Sequence, residues 1–267
     1  MRIDCYLVEN KIVKSRERAK EHIKNGDVFI NGRAIFKPSV EVTDDDNVEF
    51  RGAVLKYVGR GGLKLEKAVD VFGIELNGKI CMDIGASTGG FTDCMLQNGA
   101  EYVYAVDVGH GQLDEKLCAD KRVCNMEKTN FTELFPENFD PYPYFFSVDV
   151  SFVSLKKIIP KLSEFMKDGS MAAVLIKPQF EAGKTDIGKN GIVKDRKVHL
   201  RVLNELTVFF SQNGLAVKVL DFSPISGGDG NIEYLSYIVR SDDRTYCIDI
   251  ESIIDEAFLN VRRKDKT

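Results

Sequence analysis

Residues 83–91, DIGASTGGF, constrain this protein more than any other stretch. They follow Ile80-Cys81-Met82, an apolar run that reads as a strand, and precede residues 92–98, which suit a helix closed by Gly99. Strand, glycine-rich turn and helix in succession bring the backbone close to a nucleotide-like ligand. Strand and helix signals then alternate. Strands are expected at 102–106, ending on Asp107, at 122–124, and at 144–148, ending on Asp149. A helix over 155–166 leads to a strand over 171–176 that runs into Lys177, and a long helix over 195–212 precedes strands at 215–220 and 232–239. The alternation predicts an α/β fold with a doubly wound sheet, finished by an antiparallel hairpin and a terminal helix over 253–261.

The 267 residues leave room for one large domain and a small one. The longest purely apolar run, residues 171–176, is far short of the roughly 20 residues that span a bilayer. With neither a signal-peptide core nor a transit-peptide composition at the N-terminus, a cytoplasmic location is expected. Six cysteines form no Cys-x-x-Cys pair and the three histidines lack ligand spacing, so reduced thiols and no metal are expected.

A net charge of −4 argues against a nucleic-acid partner until its distribution is considered. Residues 11–37 carry eight bases against three acids, a local +5. A compact basic face on a mildly acidic protein points to RNA more strongly than total charge points away. The same region has the pattern of a small separate domain. Ser15 suits an N-cap for a helix over 16–25, which buries Ala19 and Ile23 before Gly26 stops it. Residues 27–30 alternate like a strand, and Asn31-Gly32 is the preferred type I′ hairpin dipeptide.

Three ligand classes could use the turn at 83–91. A dinucleotide fingerprint needs Gly-x-Gly-x-x-Gly, but Ser87 stands where its middle glycine belongs, with glycines at 85, 89 and 90. A phosphate-binding P-loop needs a Lys-Ser/Thr pair that this turn lacks, and a looser imitation at 183–190 ends on Asn190. That downstream segment reads as a lysine-bearing loop. S-adenosylmethionine fits the turn better, being cationic at sulfur and free of phosphate. Asp83 would supply a carboxylate ahead of the glycines. Asp107, 24 residues further on at a strand end, would accept the ribose hydroxyls. Gly85, Ser87, Thr88, Gly89, Gly90 and Phe91 would form the cradle, and Asn125, Met126 and Glu127 would flank the adenine.

Chemistry is expected at the ends of the later strands, which carry Asp149, Lys177 and Glu233, together with Lys64 from a helix ahead of the sheet. In open α/β sheets such strand ends meet at the ligand crevice. A ribose hydroxyl becomes a nucleophile only when a base takes its proton, and no histidine is placed for that. Lysine remains. An ordinary lysine titrates near ~10.4, so bringing one to about 7.5 takes roughly 4 kcal/mol of environmental work. Lys177, after an apolar strand and before Pro178, is the expected base. Ordinary salt-bridge partners are the bland alternative for all four residues.

Two resemblances join these readings. Arg2-Ile3-Asp4, Ser15-Arg16, Ala19, Ile23, Gly26-Asp27-Val28, Asn31-Gly32 and Lys37-Pro38-Ser39 resemble the alpha-L RNA-binding motif. That resemblance implies that Arg2, Arg16, Arg18, Lys20, Lys24 and Arg33 face RNA phosphates. DIGASTGGFTD, AVDVGHGQL, SVDVSFVSL and KPQFEAGK are similar to the TlyA family of ribosomal RNA 2′-O-methyltransferases, also called haemolysins. Their catalytic domain is of the FtsJ type. The resemblance implies a Rossmann-like class I methyltransferase domain over 57–267 behind a small α+β RNA-binding domain over 1–56. It implies a Lys-Asp-Lys-Glu tetrad of Lys64, Asp149, Lys177 and Glu233, S-adenosylmethionine as cofactor, and a cytidine of ribosomal RNA in a ribosomal subunit as target. One departure stands out: the Arg-Ala-Trp-Val linker of some members has only a loose counterpart in Arg51-Gly52-Ala53-Val54.

Three rivals have discriminating observations. A non-catalytic RNA-docked assembly factor would transfer no methyl group. A membrane-active haemolysin would make liposomes leak. A pseudouridine synthase, which shares the alpha-L module, would not bind S-adenosylmethionine.

Overall fold

The computed structural model describes residues 1–13, 15–24, 26–52, 56–227, 230–241 and 247–264. Lys14, Asn25, and Ala53 and Val54 of the loose linker counterpart therefore lie outside the described residues. The protein divides into two compact units, Met1–Leu55 and Lys56–Thr267.

The first unit packs α1 (Ile3–Glu9) and α2 (Arg16–Lys24) on a small antiparallel sheet of β1 (Val28–Ile30), β2 (Arg33–Ile35) and β3 (Val48–Phe50), in the order β2-β1-β3. Its core is Ile3, Leu7, Val13, Ala19, Ile23, Val28 and Val42. Ser15 Oγ accepts the backbone N–H of Arg18 at 3.3 Å, the capping bond expected at the start of α2. Asn31 (φ 52°) and Gly32 (φ 77°) both take left-handed conformations, as a type I′ turn demands. Asn31 also reaches across the sheet: Nδ2 donates to Asp46 and Oδ1 accepts from the Asn47 N–H.

The second unit begins with α3 (Gly61–Phe72), stopped by Gly73 at φ 63°. There follow β4 (Ile80–Ile84), α4 (Gly90–Gln97), β5 (Tyr102–Val106), α5 (Glu115–Cys118), β6 (Val123–Met126) and β7 (Phe145–Val148). Then come α6 (Leu155–Phe165), β8 (Met171–Ile176), α7 (Pro178–Glu181), α8 (Arg196–Gln212), β9 (Leu215–Phe222), β10 (Tyr234–Arg240) and α9 (Ile250–Lys264). These strands form one seven-stranded sheet in the order β6-β5-β4-β7-β8-β10-β9. β10 runs antiparallel to both β8 and β9, while the other pairings are parallel. The expected closing hairpin is thus present with its second strand inserted beside β8, leaving β9 at the edge.

Both faces of the sheet are covered, and alternate residues of one strand enter opposite cores. Ala172, Val174 and Ile176 of β8 pack with α6 and α8; Ala173 and Leu175 pack with α3 and α4 residues such as Leu65 and Cys94. A strand buried on both sides reads as a continuous apolar run, as MAAVLI does. Strand order reverses between β4 and β7, so the ends of these two neighbours open a crevice at the carboxyl edge.

Candidate active site

The glycine turn leaves β4 at that crevice. Gly85 (φ 88°) and Gly89 (φ 89°) lie in the left-handed region, and Ser87 joins them at φ 49°. Close approach sets the need at Gly85, where a Cβ would stand 2.6 Å from the backbone oxygen of Asp149. At Gly90 a Cβ would come within 2.9 Å of the Gly62 nitrogen, so α3 and α4 meet backbone to backbone.

The turn forms one wall of a cavity of about 230 Å³. Gly85, Ser87, Thr88, Gly90 and Phe91 line it on one side, and Lys64, Asp149, Ser151 and Lys177 on the other. Lys177 Nζ lies 2.6 Å from Asp149 Oδ1 and donates to Ser151 Oγ at 2.8 Å. Asp149 Oδ1 is buried and accepts no aligned hydrogen bond from the described residues, so its contact with Lys177 is a matter of charge and distance. Lys64 Nζ donates to Glu233 Oε2 at 2.6 Å, with both side chains buried. Glu233 Oε1 packs against Gly227, another residue of the cavity wall. Lys64 of α3, with Asp149 and Lys177 directly after β7 and β8, therefore lines the cavity beside the turn, and Glu233, directly ahead of β10, joins them through its pair with Lys64.

Asp83 is placed differently from the sequence expectation. It is fully buried beneath the turn, where Oδ2 accepts from Thr92 Oγ1 at 2.7 Å and Oδ1 from Ser147 Oγ at 2.8 Å. Burial pushes its carboxyl up to about 6 against the pull of those two bonds, and the Asp149 carboxylate adds to the rise. Asp83 ties α4 to β7 under the turn and does not line the cavity.

Asp107 stands past the end of β5. Its Oδ2 accepts the Ser87 N–H at 2.8 Å and its Oδ1 the Gly109 N–H at 2.6 Å, clasping the turn to the next loop. Glu127, expected beside an adenine, spends one oxygen on the N–H groups of Gln112 (2.6 Å) and Leu113 (3.1 Å). Backbone N–H groups of Gly111, Gln112 and Leu113 hold its carboxyl down at about 2. Glu127 thus shapes the 109–113 loop, a role that its position in the sequence did not signal. Asn125 is exposed and Met126 half-buried at the end of β6, and neither lines the cavity.

Sequence reasoning missed Ser151 and Phe152. Phe152 is 92% exposed with φ 63°, and its ring lies 5.1 Å from that of Phe180. The loop carrying both is held by Glu181, which accepts from Ser154 Oγ and the Leu155 N–H at 2.6 and 2.7 Å. The available signal was an aromatic three residues after the chemistry-bearing Asp149, in SVDVSFVSL.

In the first unit, Asp4 is buried and gathers two of the expected RNA contacts. Arg2 bonds it twice, Nε at 2.9 Å and Nη2 at 3.0 Å, and Arg16 Nη2 once at 3.0 Å. Burial alone would raise the Asp4 carboxyl, but the two guanidiniums bring it down to about 2. Both arginines remain about half exposed at their outer faces. Lys24 and Arg33 are exposed, and Arg18 and Lys20 half-buried.

Among the described residues no group of side chains could hold a metal ion, and no helix is long and apolar enough to cross a membrane.

Residues 57–240 match the FtsJ-like methyltransferase model, and residues 1–61 match the tyrosine–tRNA ligase SYY-like C-terminal domain. The chain belongs to the FtsJ-like methyltransferase family. A Bacillus subtilis protein named "Putative rRNA methyltransferase YqxC" is 49% identical over 89% of this chain and 85% of its own length. The Mycobacterium tuberculosis 16S/23S rRNA (cytidine-2′-O)-methyltransferase TlyA is 36% identical, with 91% of each sequence covered. A solved structure, "Putative hemolysin from Streptococcus thermophilus", superposes with a TM-score of 0.82 at 43% identity, covering 100% of this chain and 98% of that one.

Proposed function

We propose that the protein transfers a methyl group from S-adenosylmethionine to the 2′-hydroxyl of a cytidine in ribosomal RNA, acting on a ribosomal subunit in the cytoplasm. The observation that carries this reading is that Lys64, Asp149 and Lys177 line one cavity beside the glycine turn, with Glu233 paired to Lys64. The family match supports the methyltransferase part, and a relative named for this reaction supports the substrate.

The residues present fit the cofactor. The glycine turn lines the cavity without a charged side chain, and Asp149, paired with Lys177, lines it with a carboxylate whose charge suits a cation. Gly85, Ser87, Thr88, Gly90 and Phe91 would hold it, with Asp107 toward the ribose and Asn125 and Met126 toward the adenine. When bound, S-adenosylmethionine supplies a methyl group made electrophilic by its sulfonium.

The protein supplies the rest. Lys177 Nζ, held between Asp149 and Ser151, acts as the neutral amine and takes the proton from the ribose hydroxyl as its oxygen attacks the methyl group. Asp149 orients the amine and pairs with the ammonium that results. Lys64, kept in place by Glu233, steadies the ribose oxygens. Phe152 presents a bare ring on which an unstacked base can lie. The basic face of the first unit, with Lys24 and Arg33 exposed, contributes sequence-independent phosphate contacts.

The test is to give the full-length protein labelled S-adenosylmethionine with separated ribosomal subunits and with free ribosomal RNA, then map alkali-resistant linkages. Label on the ribose of a cytidine in a subunit is expected. Label on a base, or in no RNA, would overturn the reading.

A further inference from the structure

Glu233 lies ahead of β10 and reaches the site through Lys64, a residue of the cavity wall, and residues outside the tetrad hold it there. The Gly227 N–H donates to the Asn231 carbonyl at 2.9 Å, and the Ser223 N–H donates to the Glu233 carbonyl at 2.8 Å. Asn231, 1% exposed, turns its side chain to a different segment. Its Oδ1 accepts the Val193 N–H at 3.0 Å and its Nδ2 donates to the Gly191 carbonyl at 3.0 Å. A primary amide offers an acceptor and donors on one rigid group, so a single residue meets a backbone N–H and a backbone carbonyl together.

The far side of that segment is also held. His199 Nε2 lies 3.0 Å from the Val193 carbonyl, and Nδ1 lies 2.9 Å from the hydroxyl of Tyr234, the residue after Glu233. Burial lowers the His199 pKa and favours the neutral ring. Facing a carbonyl, Nε2 must carry the hydrogen, so Nδ1 accepts from Tyr234. α8, segment 191–193 and the start of β10 thus form one hydrogen-bonded frame, with Glu233 between two of its members.

The frame acts on the carboxylate itself. A Cβ at Gly227 would stand 2.6 Å from Glu233 Oε1, so the bare glycine leaves that oxygen its place while Lys64 takes the other at 2.6 Å. A shift of Gly227 toward the carboxylate would displace it.

We propose that Asn231 is a positioning residue for methyl transfer, locking Gly227, which it holds by the backbone hydrogen bond, onto segment 191–193 so that Glu233 stays on Lys64. This rests on the proposed function in that it assigns Glu233 to the site of transfer.

The experiment uses the full-length protein with labelled S-adenosylmethionine and ribosomal subunits, and Asn231→Ala, Gly227→Ala and Glu233→Gln variants. Displacement of a reacting constellation by about 1 Å can cost on the order of 100-fold, so Asn231→Ala is expected to lower kcat by about 10- to 100-fold. Gly227→Ala removes no hydrogen bond and is expected to give a similar loss through its methyl group, and it decides the matter if Asn231→Ala fails to fold. In a Glu233→Gln background neither substitution should lower kcat further, because all three act through one carboxylate. In the free protein, the Nζ resonance of Lys64 in labelled lysine should move in both variants as it does in Glu233→Gln. Additive losses, a wild-type kcat in Gly227→Ala, or an unmoved Lys64 resonance would overturn the proposal. If the wild-type protein methylates neither subunit, the functional reading fails, and the Lys64 resonance still decides whether the frame holds the pair.

Discussion

Lys64 and Glu233, 169 positions apart, meet at 2.6 Å with the carboxylate 3% exposed. Breaking such a pair from one side leaves an uncompensated buried charge, which costs about 3–5 kcal/mol. Lys64→Met alone is therefore expected to destabilise the fold by about 3 kcal/mol, and Lys64→Met with Glu233→Leu to recover most of that. Urea denaturation of the two variants checks this. The double variant should remain without methyl transfer, which separates the structural part of the pair from its chemical part.

Lys177 is expected to behave otherwise. Its Nζ has two partners, Asp149 and Ser151, and it faces the cavity. Removing a positioned base lowers turnover by about 10²–10⁴-fold, so Lys177→Ala should lose that much in single-turnover methylation while cofactor binding by calorimetry persists. Near-normal transfer by Lys177→Ala would make another group the base.

The elements around this site were readable because each is local. Strand β4, the glycine turn, and Asp149 and Lys177 at strand ends follow from apolar runs and their interruptions within a few residues. The direction of Asp83 is not legible for the opposite reason. A carboxylate before a glycine turn looks the same in sequence whether it points into the crevice or under it, and only its partners Thr92 and Ser147 settle the direction. Glu127 likewise owes its role to the 109–113 loop. The insertion of β10 beside β8, and Asn231 bridging to Gly191 and Val193, depend on pairings between distant segments that no periodicity encodes.

Asp83 also imposes a pH dependence. Its folded carboxyl is raised to about 6, above the unfolded value, so its contribution to stability is full below about pH 4 and is lost as pH rises through about 6. A shift of that size corresponds to about 3 kcal/mol between those limits. Denaturation of wild type and Asp83→Asn across this window should give a difference that changes by about that amount. A difference independent of pH would mean that Asp83 is an ordinary carboxylate.

Phe152 tests how the target base is held. A ring 92% exposed contributes little to the fold, so Phe152→Ala should leave the melting temperature and cofactor affinity unchanged. Base–aromatic stacking is worth about 1–3 kcal/mol, which predicts a fall in kcat/KM for the subunit of about 5- to 150-fold. Phe152→Tyr keeps the face and should restore most of it. Loss of stability without loss of methylation would assign the ring to packing.

The first unit separates two kinds of cation. Lys24 and Arg33 are exposed, whereas Arg2 and Arg16 are bound to the buried carboxylate of Asp4. A phosphate contact removed without harm to the fold lowers the slope of log affinity against log salt by about one. Lys24→Ala and Arg33→Ala should each do so, at unchanged melting temperature. Arg16→Ala takes a guanidinium from a carboxyl held at about 2, and that stability is present above the unfolded carboxyl value and lost as pH falls through about 2. Arg16→Ala should therefore lower the melting temperature at neutral pH as well as the RNA affinity, and its effect on melting should shrink on acidification. Filter binding to ribosomal RNA across a salt series, with thermal denaturation of the same variants, distinguishes the two. An Arg16→Ala variant as stable as wild type, with only its salt slope changed, would place Arg16 with Lys24 and Arg33 as a phosphate contact and leave Asp4 to Arg2 alone.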